Sequence, residues 1–229
     1  MATIPNTLDG ELLRRRARRD YATYCQLANP GFYMTHFHHY LCSEIQTFLE
    51  APCVNGAMDI LLLSVPPQHG KSYTVTETLP SWYLGKHPGD GVIIAGYEST
   101  FAESFSRRNR DKFNGITQEV FLERDKAGNY VHDCRPNPSV QGVAMWETLV
   151  GGRCRAAGLK AGITGHGAEL FIIDDPIKSK EQADSETVIA KIHDEMGPSV
   201  QSRIHPGGKL IVIQTRWVEN DVIGWIMAN

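Results

Sequence analysis

The segment Val65-Pro66-Pro67-Gln68-His69-Gly70-Lys71-Ser72 carries residue types that can hold a nucleoside triphosphate. It ends an apolar run, residues 59–65, that is typical of a buried strand in a parallel sheet. A Gly-Lys-Ser turn into a helix aims backbone amides at phosphate oxygens, so Lys71 is predicted to reach the β- and γ-phosphates and Ser72 to ligate Mg²⁺. The usual loop has a glycine where this chain has Val65, so a chance Gly-Lys-Ser turn is the alternative. The residues predicted to bind ATP are Pro67, Gln68, His69, Gly70, Lys71, Ser72 and Tyr73.

Two adjacent carboxylates follow a second apolar run and would complete such a site. Asp174 is predicted to hold the Mg²⁺ and Asp175 to polarise the attacking water, because hydrolysis needs a metal-binding carboxylate and a group that orients water. The alternative is a pair of acidic residues that cap a turn before Pro176. About a hundred residues separate this pair from the phosphate-binding segment, which indicates at least one intervening strand, as in the additional-strand (ASCE) class of P-loop NTPases.

A third candidate is the end of the last predicted strand, Ile213-Gln214-Thr215-Arg216-Trp217. A polar residue there can sense the γ-phosphate and transmit its loss to a moving element. Gln214 and Thr215 are placed for this task, and Thr215 is the predicted coupling residue. The alternative is a plain strand-to-loop transition with a packed Trp217.

Composition bounds the class of protein. The chain has 229 residues, of which 41% are hydrophobic and 21% charged, as expected for one sizeable α/β domain. A net charge of −3 excludes a globally basic nucleic-acid binder but leaves a local basic face open. The five cysteines form no CxxC pair, which fits a reducing cytosol. We expect no membrane span and no signal peptide.

The candidate residues need strands and helices to position them. Apolar runs predict strands at 59–65, 91–97, 169–175 and 209–215, and the periodic segments between them predict helices at 71–84, 99–113 and 180–196. Strands that alternate with helices predict a central, mostly parallel sheet flanked by helices. The stretch 114–168 is predicted to hold short strands and a hairpin, and residues 39–49 a further helix.

The N-terminal region is read as a separate basic segment. Residues 1–10 are expected to form a loose tail and residues 11–28 one helix, so that 1–30 would precede a P-loop ATPase domain at 31–229. The arginines of this helix either form a solvated face or contact phosphate or DNA: Arg14, Arg15, Arg16, Arg18 and Arg19. Of the histidines at 36, 38 and 39, we expect packing beside an adenine pocket or exposure to solvent, because no partners at metal-ligand spacing accompany them. Trp82 and Tyr83 are expected in the core.

Several motifs occur together in an order that resembles the large terminase subunits of tailed bacteriophages. The similarity covers about residues 30–227, and the segments that carry it are 66–72, 94–97, 105–111, the glycine-rich 162–168, 173–176 and 214–217. The resemblance implies an ATPase motor that translocates viral double-stranded DNA into a procapsid, with ATP and Mg²⁺ as cofactors. It assigns Lys71 and Ser72 to the P-loop, Asp174 to the metal, Asp175 to catalysis and Thr215 to coupling.

The resemblance also implies partners and a place of action. A terminase of this kind works with a portal protein and a small terminase subunit, as a homo-oligomeric ring in the host cell cytoplasm, transiently at the procapsid portal. Such proteins usually bear a C-terminal nuclease domain. The chain ends at Asn229, so we expect that domain to be absent, and we favour an excised ATPase domain over a split protein.

Two residue types depart from the family pattern. Asp175 stands where many terminases have glutamate, so its water would lie closer or be relayed. Gln68 and His69 occupy a segment in which many terminases carry an arginine, so a charge-stabilising arginine must come from elsewhere. Arg108 is the predicted residue, beside Arg107, Arg110 and Arg216; arginine fingers contribute about 10³–10⁵ in rate where measured. A solvated helix face is the alternative for the arginines at 107–110.

Two other functions stay open at this stage. A helicase-like, nucleic-acid-dependent ATPase would share the core but would normally need a second motor domain. A scaffold module would bind nucleotide without turnover.

Overall fold

A computed structural model describes residues 4–159, 163, 165 and 167–229. The strands are β1 (Asp59–Ser64), β2 (Gly91–Gly96), β3 (Glu123–Arg124), β4 (Tyr130–His132), β5 (Pro136–Gln141), β6 (Met145–Thr148), β7 (Arg153–Gly158), β8 (Ala168–Asp174) and β9 (Ile204–Gln214). The α-helices are α1 (Leu8–Arg19), α2 (Tyr21–Ala28), α3 (His36–Glu50), α4 (Lys71–Thr74), α5 (Leu79–Lys86), α6 (Ser99–Lys112), α7 (Gln118–Phe121), α8 (Lys180–Ala183), α9 (Glu186–Glu195) and α10 (Val222–Ala228). Two π-helical turns, Phe113–Thr117 and Met196–Val200, and the 3₁₀ turn Gln201–Arg203 extend α6 and α9.

The main sheet has seven strands in the order β1-β9-β8-β2-β7-β6-β5. Strands β1, β9, β8, β2 and β7 pair in parallel, and β6 and β5 continue the sheet in antiparallel pairing. Strand β9, the last in the chain, lies between the strand that precedes the Gly-Lys-Ser turn and the strand that ends in Asp174. This inserted strand defines the additional-strand class of P-loop NTPases, so the predicted fold is confirmed.

Apolar side chains alternate between the two faces of the sheet, as expected for strands buried on both sides. On one face Ile172 and Ile211 join a core that includes residues of α1, α2, α3, α5 and α6. On the other face Phe171 and Val212 join a core with residues of α9 and α10. Trp82 and Tyr83 are buried, as predicted.

The N-terminal region differs from its prediction as a loose tail followed by one helix. Ile4 is buried, and its N–H donates to Oε2 of Glu119 at 2.7 Å. The helix is divided at Asp20, which adopts an extended conformation and caps α2 by accepting from the N–H of Thr23 at 2.8 Å. A side chain that caps a new helix start competes with continuation of the preceding helix, and periodicity alone does not reveal it.

The arginines of α1 also do more than the sequence indicated. Arg14 donates to the carbonyl of Ile4 at 3.0 Å, and Arg18 donates to the carbonyl of Val120 and pairs with Glu123. Arg15 pairs with Glu11 on the exposed surface of the same helix. Three of the five arginines therefore have contacts within the chain, and those of Arg14 and Arg18 reach beyond α1, which neither the solvated-face nor the DNA-contact interpretation included.

Two predicted helices are interrupted. The helix expected over 71–84 breaks between Thr74 and Leu79, and the one expected over 180–196 breaks at residues 184–185. The first break lies directly behind the candidate site and is described below.

Candidate functional site

The Gly-Lys-Ser turn connects β1 to α4 through an exposed loop, residues 66–69. Gly70 precedes the helix with a φ of +68°, a conformation that L side chains rarely adopt. A Cβ at this position would lie 2.6 Å from Nε2 of His38. Gln68 also has a positive φ, +61°. Both the backbone conformation and the close approach of α3 therefore require glycine at residue 70.

His38 braces this loop from behind. Its Nε2 lies 3.1 Å from the carbonyl oxygen of His69, and its Nδ1 accepts from the N–H of Thr35 at 3.1 Å. The ring of Phe32 packs against those of His38 and Tyr73, with centroid distances of 4.9 and 4.7 Å. His38 is buried, whereas the neighbouring histidines at 36 and 39 are exposed. Among the described residues no cluster of metal-ligating side chains is present.

Three of the predicted catalytic residues meet at the carboxyl edge of the sheet. Nζ of Lys71 lies 2.5 Å from Oδ2 of Asp175, and Oδ1 of Asp175 accepts from the N–H of Thr215 at 3.1 Å. The hydroxyl of Thr215 donates to the carbonyl of Val65 at 3.3 Å. These contacts follow from the strand order, because β9 places its end between the ends of β1 and β8.

Asp175 leaves the strand in an unusual conformation. Its φ is +42°, and its N–H donates to the carbonyl of Ile213 at 2.9 Å. The turn after Asp174 thus directs the carboxylate of Asp175 towards Lys71 instead of into the sheet. The predicted phosphate-binding lysine and the predicted catalytic carboxylate form an ion pair in this arrangement.

Asp174 has a different environment. It is fully buried, its Oδ2 accepts from the hydroxyl of Thr76 at 2.5 Å, and its Oδ1 has no hydrogen-bond partner among the described residues. Burial raises the pKa of Asp174 to about 7, although Thr76, Lys71 and Ser72 favour the charged form and Asp175 opposes it. A buried carboxylate oxygen without a partner, close to Ser72, is a donor set that fits Mg²⁺.

Arg108 lies apart from this group. Its guanidinium pairs with Glu77, whose side chain is only 7% exposed, while the Arg108 side chain remains 49% exposed. Both residues line a cavity of about 530 Å³ that also includes Tyr73 and Lys112. Burial lowers the pKa of Lys112 to about 8. Arg108 is thus near the helix that follows the loop, but no contact joins it to Lys71, Asp174 or Asp175 in the described part of the chain.

The other arginine candidates have partners of their own or face solvent. Arg216 donates to Oδ2 of Asp221 at 2.7 Å, and Arg110 to the carbonyl of Gln141 at 2.8 Å. Arg107 is exposed. Trp217 is 41% exposed, so the packing expected under the alternative interpretation of this strand end is not found. The glycine-rich segment 162–168 lies in part outside the described residues.

Gln214 ends β9 and is buried. Its side-chain amide has no hydrogen-bond partner among the described residues, either at the nitrogen or at the oxygen. A buried amide without a partner costs free energy, so Gln214 is an exception to the usual pairing of buried polar groups.

Sequence reasoning missed Thr76 and Asn109. Thr76 follows Ser72 by four residues, so the helix predicted over 71–84 would place both on one face, but the structure ends that helix at Thr74 and Thr76 contacts Asp174 from the break. Asn109 of α6 donates to the carbonyl of Thr76 at 2.7 Å. No sequence pattern indicates a contact between residues 33 positions apart.

Part of the chain matches the model of a known protein family. Residues 62–229 match the family model described as the N-terminal part of the terminase large subunit, T4likevirus type. The chain belongs to the terminase large subunit family. The match includes the end of β1, the Gly-Lys-Ser turn, both aspartates and β9, so the predicted resemblance is confirmed for this part of the terminase chain.

One solved structure supports the same fold, and a second is similar at a lower level. The crystal structure of the large terminase of bacteriophage HK97 is similar with a TM-score of 0.50 and 15% identity, over 86% of this terminase chain and 36% of the other. The large terminase ATPase domain of Thermus phage P74-26 has a TM-score of 0.41 and 16% identity, over 81% of this chain and 66% of that one. The terminase chain thus spans about a third of the length of the HK97 protein. Comparison with curated proteins gives no match.

Proposed function

We propose that this chain is the ATP-hydrolysing motor domain of a DNA-packaging terminase, which translocates viral double-stranded DNA into a procapsid. The single observation that carries the proposal is the meeting of Lys71, Asp175 and Thr215 at the edge of an additional-strand sheet, beside the buried Asp174. Family membership supports the same function.

Each residue has a task that its contacts support. The backbone N–H groups of residues 68–73 and Nζ of Lys71 would bind the phosphates, Pro67 would shape the loop without donating, and Ser72 and Asp174 would hold Mg²⁺. When bound, Mg²⁺ neutralises phosphate charge and stabilises the charge that develops during transfer. Asp175 would orient the attacking water once phosphate has drawn Lys71 away from it.

Thr215 is proposed to couple this chemistry to movement. Its N–H binds Asp175 and its hydroxyl binds the carbonyl of Val65, so it contacts both the predicted catalytic carboxylate and the start of the phosphate-binding loop. A change of partner at Asp175 would therefore alter a hydrogen bond at the end of β9. The loss of that hydrogen bond would affect the segment that follows Gln214.

Arg108 is proposed to act on the nucleotide of a neighbouring subunit. Its partial exposure supports this task, since an arginine that works in trans has to be reachable from outside the chain. The proposal includes a homo-oligomeric ring, a portal protein and a small terminase subunit as partners, and the host cytoplasm as the place of action. No helix in the described part of the chain is long and apolar enough to cross a membrane.

The domain division is also part of the proposal. Residues 31–229 form the proposed ATPase domain, and 1–30 are a basic helical segment whose Tyr21 and Tyr24 pack into the same core.

The deciding experiment measures steady-state ATP hydrolysis with and without Mg²⁺, in the presence of double-stranded DNA. We expect Mg²⁺-dependent turnover that falls by about 10²–10³ in Lys71→Ala, the range typical for loss of one charge-stabilising donor. Asp175→Asn should also abolish turnover, and Lys126→Ala, at an exposed lysine, should not change it. Bound nucleotide without turnover would favour the scaffold alternative, and strand separation on a forked duplex the helicase alternative.

A further inference from the structure

The helix after the phosphate-binding loop is interrupted at residues 75–78. The N–H of Glu77 reaches back five residues to the carbonyl of Ser72 at 2.8 Å, so the regular helical pattern is lost there. Two carbonyls freed by the break, those of Thr76 and Glu77, accept from side chains of α6: from Asn109 at 2.7 Å and from Lys112 at 2.6 Å. Side chains of α6 therefore stabilise the conformation of the break.

Thr76 is fixed by this arrangement on two sides. Its carbonyl is held by Asn109, and the same Asn109 side chain accepts from the N–H of Ser81 at 3.0 Å, which joins α6 to the start of α5. Its hydroxyl donates to Oδ2 of Asp174 at 2.5 Å, and Thr76 is fully buried. A β-branched side chain with a fixed main chain has few rotamers, so the direction of this donor is well defined.

The contact leaves the two oxygens of Asp174 in different states. Oδ2 is engaged by Thr76, whereas Oδ1 is buried and without a partner among the described residues. A carboxylate with one oxygen held cannot rotate freely, so the direction of the other is set as well. Groups that orient a metal ligand in this way commonly matter almost as much as the ligand itself.

We propose that Thr76 is a positioning residue for the metal site, which holds Asp174 so that Oδ1 faces Mg²⁺ bound with the nucleotide. The inference rests on the proposed function, since it requires the chain to bind Mg²⁺ and nucleotide together. It goes further because it assigns a role to a residue outside the phosphate-binding loop. It also gives α6 an indirect role, because Asn109 of α6 holds the main chain of Thr76.

The test compares Thr76→Val, which removes the hydroxyl and keeps the shape, with Thr76→Ser, which keeps the hydroxyl. The matched control is Thr74→Val, because Thr74 is equally buried, lies two residues away and has a hydroxyl without a partner in the described part of the chain. Affinity for a fluorescent ATP analogue is measured with Mg²⁺ and with EDTA, together with the Mg²⁺ concentration that gives half-maximal hydrolysis. Thermal melting checks that each variant is folded.

Thr76→Val should weaken the Mg²⁺-dependent part of nucleotide affinity by about 10- to 100-fold, the loss typical of removing a group that orients a metal ligand. Affinity in EDTA should be unchanged, Thr76→Ser should restore the wild-type response, and Thr74→Val should match the wild type. Equal losses with Mg²⁺ and with EDTA, or no loss, would overturn the inference. A wild-type chain whose nucleotide binding ignores Mg²⁺ would instead contradict the proposed function, so the two failures are distinguishable.

Discussion

Lys71 is paired with Asp175: Nζ of the lysine lies 2.5 Å from Oδ2 of the carboxylate, and both side chains are largely shielded from solvent, with exposures of 10% and 23%. The lysine predicted to bind phosphate is thus paired with a carboxylate in this structure. In the proposed function, binding of a triphosphate would have to replace a carboxylate that is already in contact with Lys71, and that exchange would free Asp175 to orient water.

Asp175→Asn should abolish ATP hydrolysis without weakening ATP binding. The amide cannot act as a base and no longer neutralises Lys71, so hydrolysis should be lost while affinity for Mg²⁺–ATP is equal to that of the wild type or higher. Affinity is measured with a fluorescent ATP analogue and turnover by phosphate release. Asp194→Asn, at an exposed aspartate, is the control. A clear fall in affinity would show that the Lys71–Asp175 pair does not compete with phosphate.

Asp174→Asn should change how stability depends on pH. Burial raises the pKa of Asp174 to about 7 from an ordinary value near 3.8, so the folded chain holds this proton more tightly than the unfolded chain. The contribution of this group to stability is therefore complete at low pH and is lost as the pH rises from about 4 to about 7. The asparagine variant lacks this loss. Its free energy of unfolding should exceed that of the wild type by on the order of a few kcal/mol at about pH 8, but by little at about pH 4.

The measurement for Asp174→Asn is urea unfolding across that pH range, with EDTA and without nucleotide. Equal effects of the substitution at both ends of the range would mean that folding does not raise the pKa of Asp174. The same variant should lose Mg²⁺-dependent nucleotide affinity, because its side chain no longer carries a negative charge.

Gly70→Ala should impair both stability and nucleotide binding. The residue has a φ of +68°, and a Cβ would lie 2.6 Å from His38, so the loop or α3 has to shift. The left-handed conformation alone costs roughly 1–2 kcal/mol for a residue with a side chain. Gly89→Ala, where a Cβ would meet nothing within 4 Å, is the matched control for denaturant unfolding and nucleotide titration. Unchanged nucleotide affinity in Gly70→Ala would contradict a phosphate-binding loop of this shape.

Tyr21→Phe should lower the free energy of unfolding. Tyr21 lies more than forty residues before the loop at 66–69 in sequence, but it contacts the helix that follows this loop. The Tyr21 hydroxyl donates to the carbonyl of Thr74 at the end of α4, and both residues are fully buried. Removing the donor leaves a buried carbonyl without its partner, which costs about 1–3 kcal/mol. Denaturant unfolding measures this loss, and Tyr33→Phe, at a residue 82% exposed, should be neutral. Equal stabilities of the two variants would show that the hydroxyl contributes nothing.

Arg108→Ala should be rescued by mixing if Arg108 acts in trans. Alone it should lower hydrolysis in the assembled motor. A mixture with Lys71→Ala should regain activity, since each variant supplies what the other lacks. The double variant in a single chain is the control, and it should stay inactive at any mixing ratio. Glu77→Gln, which removes the ion-pair partner and keeps the arginine, should retain activity; loss in that variant would assign the effect to the Arg108–Glu77 pair instead.

Much of the fold followed from the sequence because it depends on local apolar runs. The wide spacing between Lys71 and Asp174 indicated at least one intervening strand, and β2 to β7 lie there in sequence, whereas the strand inserted between β1 and β8 in the sheet is β9, which follows Asp174 in the chain. The break at residues 75–78 could not be predicted, because its carbonyls are satisfied by Asn109, Lys112 and other side chains distant in sequence. Propensity describes a segment by itself and misses partners supplied by tertiary packing.

The site was predicted as a set of residues but not as a set of contacts. The positions of Lys71 and Asp175 at strand ends indicated proximity, whereas their direct pairing depends on the positive φ of Asp175, which no pattern reveals. The burial of Asp174 beside Thr76 likewise depends on the helix break. Side-chain partners in this site are decided by irregular backbone, where periodicity carries no information.

The central position of β9 limits which segment could move if Thr215 were displaced. The strand is hydrogen-bonded along both edges, to β1 and to β8, so it cannot slide without breaking two ladders at once. Displacement that begins at Thr215 therefore has an easy route only forwards along the chain. There the Arg216–Asp221 ion pair closes a short loop before α10, and in the proposed motor this loop would be the first segment to be displaced.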